Sequence, residues 1–444
     1  GTLMGYAAVQ AVFDAKPETE PQLICLRGNR ITRAPLMECV ERTRAVADAI
    51  NAHDYERAMD LRGPSFKQSF RTLQTLLRSL PHEPPPGQKR LRFAVLNCGA
   101  PAPGMNTAAR AAVRIALDKG HTVLGVINGF QGLADGDIKE MDWMSVNGWA
   151  SMGGAELGTH RDIPSGRHLY SIARNIEKWD IHGLLIIGGM TAYKGAYELY
   201  RQKNDFPAFD IPVVCLPATI NNNLPGTELT VGADTALNNI VWAVDRIKQS
   251  AIAQQRCFVV EVMGRRCGYL ALMSGLATGA ERVYLNEEGI KLCDLQTNLE
   301  QIVAGFKQGK RLGLIIRNEQ ANSIYTSDFM AALFEEEGGT FFDVRQTILG
   351  HVQQGGDPSP FDRIQATRLA ARCIDFLIEK AQTKTPISGF IGLGAGGIQI
   401  HEIQELPQLV DEANQRPKKQ WWMDLRPIAA VLSQLGPHIE SEKP

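Results

Sequence analysis

The loops of this chain where chemistry would gather are marked by arginines and short polar side chains rather than by carboxylates. The run NCGAPAPGMNTAARAAVR, from Asn97 to Arg114, passes from glycines and prolines into a helical pattern. It places Arg110 and Arg114 one helical turn apart, on one face. Two guanidinium groups so spaced suit a phosphate, although two solvated arginines would show the same spacing. GGAELGTHR ends at Arg161, and GGMTAYKG at 188–195 puts a glycine pair after an apolar run, where backbone N–H groups can approach an anion. In PATINNNLPG, residues 217–226, Thr219, Asn221, Asn222 and Asn223 stand together. Hydroxyls and amides hydrogen-bond sugar hydroxyls and phosphate oxygens, but an amide takes up no proton, so these groups can bind without acting as a general base. Three asparagines in a row would also build a plain turn. Downstream come Arg256, VMGRR with Met263, Gly264 and Arg265, RNE with Glu319, VRQTILGHVQQGGDPSPFDR with Arg345, His351 and Gln354, and NQRPKKQWW with Arg416. A lone arginine is most often a surface residue, and His351, read here as a ligand, has a core histidine as its other reading. Several arginines at loop ends in one array point instead to a small polyanion, since each charge-assisted hydrogen bond contributes roughly 1.5–3 kcal/mol.

The elements that must position these residues are legible from apolar runs. RFAVLN (92–97), TVLGVI (122–127), GLLIIGG (183–189), PVVCLPAT (212–219), CFVVEVMG (257–264), LGLIIRNE (312–319) and ISGFIGLG (387–394) alternate with helical stretches. Runs rich in Val, Ile and Leu without period-two alternation predict strands buried on both faces of a parallel sheet, hence an α/β class with βαβ crossovers. In such sheets ligands bind at the loops leaving the carboxyl ends of strands, where the unusual residues stand. Residues 38–60 read as charged and helical, and HEPPPGQKR (82–90) as a proline-rich linker, which sets a boundary near residue 90. A partial internal repeat is also present. Met4 to Phe13 followed by Ile24, Leu26, Ile31 and Leu36 tracks Leu369 to Ile378 followed by Ile391, Leu393, Ile398 and Ile403. Residues 1–60 are therefore expected to be the tail of a preceding copy, 61–90 a linker and 91–444 the main body, in a piece of a longer duplicated polypeptide.

The bulk composition sets limits. A formal net charge of −1 over 444 residues gives no overall pull toward nucleic acid or an anionic membrane, so any phosphate recognition must be local. No apolar run reaches the roughly 20 residues of a membrane helix. The eight cysteines are scattered without metal-type spacing and read as reduced, buried thiols of a cytoplasmic protein.

Taken together and in this order, APGMN, GGxxAYxG, TINNN with PGT and GAD, VEVMGR, LGHVQQGG and PFDR resemble the ATP-dependent phosphofructokinase family over residues 91–444. The resemblance implies a phosphofructokinase fold, two Rossmann-like lobes with largely parallel sheets, in a glycolytic setting. It also exposes departures. Catalytic members carry GGDGS, whose aspartate helps hold the magnesium nucleotide, where this chain reads Gly188-Gly189-Met190-Thr191-Ala192. They carry TIDND, whose first aspartate is the general base, where this chain reads Thr219-Ile220-Asn221-Asn222-Asn223; their nucleotide loop GGD is here Gly99-Ala100-Pro101. Loss of a general base alone lowers a rate by about 10²–10⁴.

The sugar-phosphate side is kept at Arg161, Arg256, Arg265, Glu319, Arg345 and His351, with Arg416 in a register shared with Gln415. The resemblance implies the carboxyl-terminal half of a duplicated eukaryotic enzyme, whose former active site binds the activator fructose 2,6-bisphosphate and holds no metal. Gln354 in place of the bacterial arginine fits that half. Magnesium and ATP would then belong to the N-terminal catalytic half, and Arg256 and Arg345 would reach across a subunit interface in a homo- or hetero-oligomer, a tetramer or larger. Arg110 and Arg114 match a bacterial effector site. Two other readings stay open: a self-contained kinase using carboxylates such as Glu228 or Asp234, and a half that only supports assembly.

Overall fold

The structure, a computed structural model, describes residues 1–27, 30–77, 87–383 and 386–433. The N-terminal segment runs through α1 (Thr2–Asp14), a hairpin of β1 (Gln22–Arg27) and β2 (Arg30–Pro35), then α2 (Leu36–Asn51), α3 (Tyr55–Arg62) and α4 (Pro64–Leu77). The stretch 61–90 read as linker is thus helical over much of its length: Pro64 occupies a first-turn position that needs no N–H, and Phe66, Phe70 and Leu73 recur at helical spacing. Residues 82–86 of the proline-rich run lie outside the described residues.

There follow β3 (Arg92–Cys98), α5 (Met105–Asp118), β4 (Thr122–Val126), α6 (Gly129–Asp135), β5 (Ile138–Met141), α7 (Arg167–Lys178), β6 (Gly183–Gly188), α8 (Met190–Arg201) and β7 (Val213–Pro217). Next come α9 (Ala233–Gln254), β8 (Arg256–Val262), α10 (Tyr269–Thr278), β9 (Arg282–Tyr284), α11 (Leu292–Lys307), β10 (Leu312–Asn318), α12 (Ser327–Gly338) and β11 (Asp343–Ile348). The chain ends in α13 (Pro360–Lys380), β12 (Gly389–Gly394), β13 (Gly397–Glu402), α14 (Leu406–Leu409) and α15 (Arg426–Leu432).

Among the described residues two compact units result: those within 1–219, 224–232 and 357–410 form the first, and those within 220–223, 233–356 and 411–433 the second. The first holds a seven-stranded sheet ordered β13-β12-β7-β6-β3-β4-β5. Its five central strands are parallel and each edge strand is antiparallel. The fully buried Phe93, Val95, Leu96, Leu184, Leu185, Ile186 and Ile187 explain why those runs lack alternation. Strand order reverses at β3, so the loops after β3 and β6 flank a topological switch point. PFDR has a structural role here: buried Asp362 accepts the Gly232 N–H at 2.9 Å, tying the start of α13 to the GAD segment. The second unit holds an all-parallel sheet ordered β11-β8-β10-β9. Its own core gathers Cys257, Val259, Ile315, Leu295, Met330 and Phe334. Among the described residues no helix is long and apolar enough to cross a membrane.

The internal repeat appears as a shared pattern. Leu26 faces Ile31 across the β1–β2 hairpin as Leu393 faces Ile398 across β12–β13, and each hairpin follows a helix. The surroundings differ, since α13 buries Leu369, Ala370, Cys373, Ile374 and Leu377, whereas α1 buries none of its residues.

Candidate functional site

In the second unit, the loops after β8, β10 and β11 meet at the carboxyl end of the sheet. Buried Gln353 accepts the Met263 N–H at 3.0 Å and donates to the Gly350 carbonyl at 2.9 Å, lacing two of these loops together. Glu319 Oε1 accepts the N–H groups of both Gly264 (3.1 Å) and Arg265 (2.6 Å). The turn it holds is tight: Gly264 has φ +134° and Arg265 φ +50°, and a Cβ on Gly264 would lie 2.3 Å from the Cys267 carbonyl oxygen. Only glycine fits there. Glu319 is therefore occupied in shaping the backbone, while the Arg265 side chain extends into solvent.

The asparagine segment joins the same cluster. Asn222 also takes a positive φ, +50°, and its carbonyl accepts from the Cys267 thiol at 3.9 Å; burial, then the Glu287 carboxylate, pushes that thiol up to about 12. Asn223 donates to the Gln415 carbonyl at 2.9 Å. Arg416 donates to the carbonyl of Arg266 (2.5 Å), to Asn286 Oδ1 (3.0 Å) and to Glu287 Oε1 (3.1 Å). Gln415 turns instead onto Glu412, so the two sides of the uncertain register differ in kind. Glu287 also accepts from the Gly268 N–H and from Gln420 Nε2. His351 is exposed in a short 3-10 turn, and Gln354 closes that turn through its N–H to the His351 carbonyl.

Arg256 and Arg345 are not part of this cluster within the chain. Arg256 opens β8 and Arg345 lies near the start of the parallel β11. At about 3.3 Å per residue, seven-residue β8 separates that end from the Met263 loop by roughly 20 Å. Both arginines flank Asp343 Oδ2, at 3.7 and 3.8 Å, beyond hydrogen-bond reach, and Arg256 Nε is buried without a hydrogen bond.

Arg161 and Thr219 lie in the first unit. There Gly99 and Gly189 face each other at the switch point: a Cβ on Gly99 would sit 3.7 Å from the Gly189 nitrogen, and one on Gly189 3.4 Å from Thr219 Cβ. Thr159 donates to the Gly99 carbonyl at 2.7 Å and Gly99 donates to the His160 carbonyl at 2.8 Å. Met190 opens α8 directly after Gly189. Among the described residues no group of three or more His, Cys, Asp or Glu could hold a metal ion.

Arg110 and Arg114 do share one face of α5. Arg114 stacks over Trp143 at 4.8 Å and donates to its carbonyl at 3.3 Å, while its Nε is buried without a partner. Burial, and secondarily Arg114, holds the Arg110 guanidinium below its usual range. Two half-buried cations set side by side favour an anion between them.

Sequence reasoning passed over Glu287, Gln353, Gln420 and Trp143, which support ligand-type residues. Gln353 and Gln420 lie inside quoted motifs whose neighbouring residues were singled out instead, and Glu287 and Trp143 lie in stretches of ordinary composition. Separately, a groove of about 860 Å³ between β9, α11 and α15 is lined by Arg282, Tyr284, Asn298 and Arg426, and none of the clustered loop residues lines it.

The fold and this geometry define an α/β protein of two Rossmann-like units whose strand-end loops gather amides and arginines. The phosphofructokinase family pattern matches residues 92–377, and the chain belongs to the phosphofructokinase family. Muscle-type ATP-dependent 6-phosphofructokinase of Canis lupus familiaris is 43% identical over 444 residues, 98% of this chain and 57% of the relative. The Homo sapiens muscle type is also 43% identical, over 98% of this chain and 56% of its own length. The chain thus spans little more than half the length of these relatives. Phosphofructokinase from Pichia pastoris in the T-state superposes with a TM-score of 0.90 at 35% identity, over 97% of this chain and 51% of that one. The Saccharomyces cerevisiae enzyme gives 0.89 at 35%, over 97% and 59%.

Proposed function

We propose that this chain is the carboxyl-terminal regulatory half of a eukaryotic ATP-dependent 6-phosphofructokinase, and that its former active site binds fructose 2,6-bisphosphate. The whole protein transfers the γ-phosphoryl of ATP to fructose 6-phosphate in glycolysis, in the cytoplasm, using magnesium and ATP held by an N-terminal catalytic half. The observation that carries this reading is the substitution pattern at the strand ends. Met190, Asn221 and Asn223 stand where the family's catalysts keep carboxylates and Gln354 where its bacterial members keep an arginine, beside a retained set of Arg161, Thr219, Asn222, Met263, Gly264, Arg265, Glu319, His351 and Arg416. Amides and guanidinium groups hold a bisphosphate without moving a proton. Arg256 and Arg345, at the far end of the second unit's sheet, serve the site of a neighbouring subunit, and Arg110 with Arg114 forms a second effector site.

The tail reading of residues 1–60 rests on the repeat. α1, β1 and β2 carry the pattern of α13, β12 and β13, and β12 adds in parallel to β7. The main body of a preceding copy offers β1 and α1 the same support.

A calorimetric titration of fructose 2,6-bisphosphate into the assembled protein tests the site. Arg345→Ala is expected to weaken binding about ten- to a hundredfold, the loss of one charge-assisted bond, with the oligomer intact by sedimentation. Unchanged binding in Arg345→Ala and Arg161→Ala would favour the reading in which this half only supports assembly. Kinase turnover by this chain alone, abolished by changing Asn221, would overturn the non-catalytic assignment.

A further inference from the structure

Beneath the loops that leave β8, β10 and β11 lies a guanidinium almost wholly withdrawn from water. Arg317 is the next-to-last residue of β10, and its side chain is 1% exposed. Glu261, on the parallel strand beside it, is its partner in register, so the two side chains leave the sheet abreast on one face. Arg317 Nη1 donates to Glu261 Oε2 at 2.8 Å, and the Ser327 hydroxyl donates to the same oxygen. Burial draws the Arg317 pKa down and the Glu261 carboxylate pulls it back, the balance of an ion pair removed from solvent.

The rest of the guanidinium is committed to one loop. Nη1 also donates to the Asn318 and Glu319 carbonyls, both at 3.2 Å, Nη2 to the Asn322 carbonyl at 2.6 Å and Nε to the Tyr325 carbonyl at 3.2 Å. Asn322 continues the wrap: its Oδ1 accepts the Ile324 and Tyr325 N–H groups, and its Nδ2 donates to the Ile290 carbonyl at 3.1 Å. Residues 318–325 therefore fold around Arg317. A planar fork of donors reaches carbonyls on several sides at once, which the single ammonium of a lysine does not. Glu319 stands within this wrap. Its carbonyl is held by Arg317, and its carboxylate holds the N–H groups of Gly264 and Arg265. The third loop is tied in through Glu261, whose main-chain carbonyl accepts the Leu349 N–H at 3.1 Å, just ahead of the turn that carries His351.

We infer that Arg317 is a positioning residue for the sugar-bisphosphate site. It is buried too deeply to touch a ligand; it sets Glu319, and Glu319 sets the Met263–Arg265 turn in the shape that receives the bisphosphate. The inference rests on the reading of that site as one for fructose 2,6-bisphosphate. Glu261 and Ser327 hold Arg317 in its turn.

Two variants of the full chain test it. Arg317→Lys keeps a positive charge beside Glu261 and lacks the fork. Arg317→Met combined with Glu261→Gln removes both charges together, so that neither is left buried alone. Amide hydrogen exchange is resolved to single residues by mass spectrometry, and fructose 2,6-bisphosphate binding is measured by calorimetry on the assembled protein. In both variants exchange at Gly264 and Arg265 is expected to quicken about ten- to a hundredfold, the loss of a charge-assisted bond read as local opening, while the interior amides of Val259 and Ile315 keep their protection. Affinity for the bisphosphate is expected to fall by about tenfold. Exchange that stays slow at Gly264 and Arg265 would overturn the inference. So would acceleration spread evenly over Val259 and Ile315, the mark of a role in general stability alone, and so would a loosened turn with undiminished affinity. Failure of the underlying reading looks different: the unsubstituted protein then takes up no fructose 2,6-bisphosphate, before any variant is made, and the inference falls with it. Should the double variant not fold, Arg317→Lys carries both measurements alone.

Discussion

At the scale of single residues, the candidate site is less a set of free cations than a set of cations and backbone turns held by carboxylates and amides. Arg416 and Glu287 show this most directly, with side chains only 13% and 6% exposed and 3.1 Å apart. Glu287 further fixes the Gly268 N–H and Gln420, so it anchors the loop beside the Met263–Arg265 turn as well as neutralising Arg416. Removing one member of a buried pair leaves the other charged and uncompensated, a change that costs about 3–5 kcal/mol. Glu287→Ala is therefore expected to lower stability by about that amount, and Glu287→Gln, which keeps an acceptor, by less. Urea unfolding followed through Trp421 and Trp422, which pack against Tyr269 in the same unit, measures both. A loss in Glu287→Ala below about 1 kcal/mol would mean that Arg416 relaxes into water and that the pair holds nothing.

At the scale of elements, what the sequence did and did not disclose follows sheet position. The seven apolar runs correspond to β3, β4, β6, β7, β8, β10 and β12, all inner strands or the parallel neighbours of inner strands. Within these two sheets, the strands with no such run are β5 and β13 at the edges of the large one and β9 and β11 at the edges of the small one. An edge strand loses one neighbour and much of its cover, so its residues need not be apolar; in β11, only Val344 is fully buried. The same cause limited the site. Arg345 lies on β11, and a motif read along the chain does not say at which end of a parallel strand a residue falls, so its separation from Arg265 emerged only with the topology.

His121 illustrates an element joint with a pH signature. It is buried between α5 and β4, and its Nδ1 accepts the Leu91 N–H at 3.2 Å at the entry to β3. Burial first, then Lys119 and Arg90, lowers its pKa. The unfolded chain takes up this proton near the ordinary value of about 6.5 while the folded one resists it, so stability is full above that pH and declines as pH falls through it. The slope from this residue is at most about 1.4 kcal/mol per pH unit. Urea midpoints between pH 7.5 and 5.5 are expected to fall in the natural protein and to flatten in His121→Gln. An unchanged slope in the variant would assign the pH dependence to other groups.

At the scale of the whole molecule, the N-terminal segment and the body it precedes are unlike in how they use apolar residues. Val12, Phe13, Leu26 and Met37 are 75%, 84%, 57% and 60% exposed, and β1 pairs with β2 alone among the described residues. An open strand edge beside uncovered apolar side chains promotes association. A net charge of −1 provides little repulsion against it. The seven-stranded sheet of the body, by contrast, closes its parallel strands with antiparallel edges, and α13 is covered. The expectation is that this chain, isolated, forms heavier species as its concentration rises in sedimentation velocity, and that removing residues 1–35, which deletes α1 and the hairpin, shifts the distribution toward the lighter boundary. The folded body serves as the control, because its near-ultraviolet circular dichroism should survive the truncation. If the distribution keeps its concentration dependence without residues 1–35, association runs through another face. The exposed Ile348 and Val352 of the second unit, on the strand and turn that also carry Arg345 and His351, are then the residues to change. In that outcome, self-association and the arginines proposed to serve a neighbouring subunit would belong to one surface, and Arg345→Ala should weaken both together.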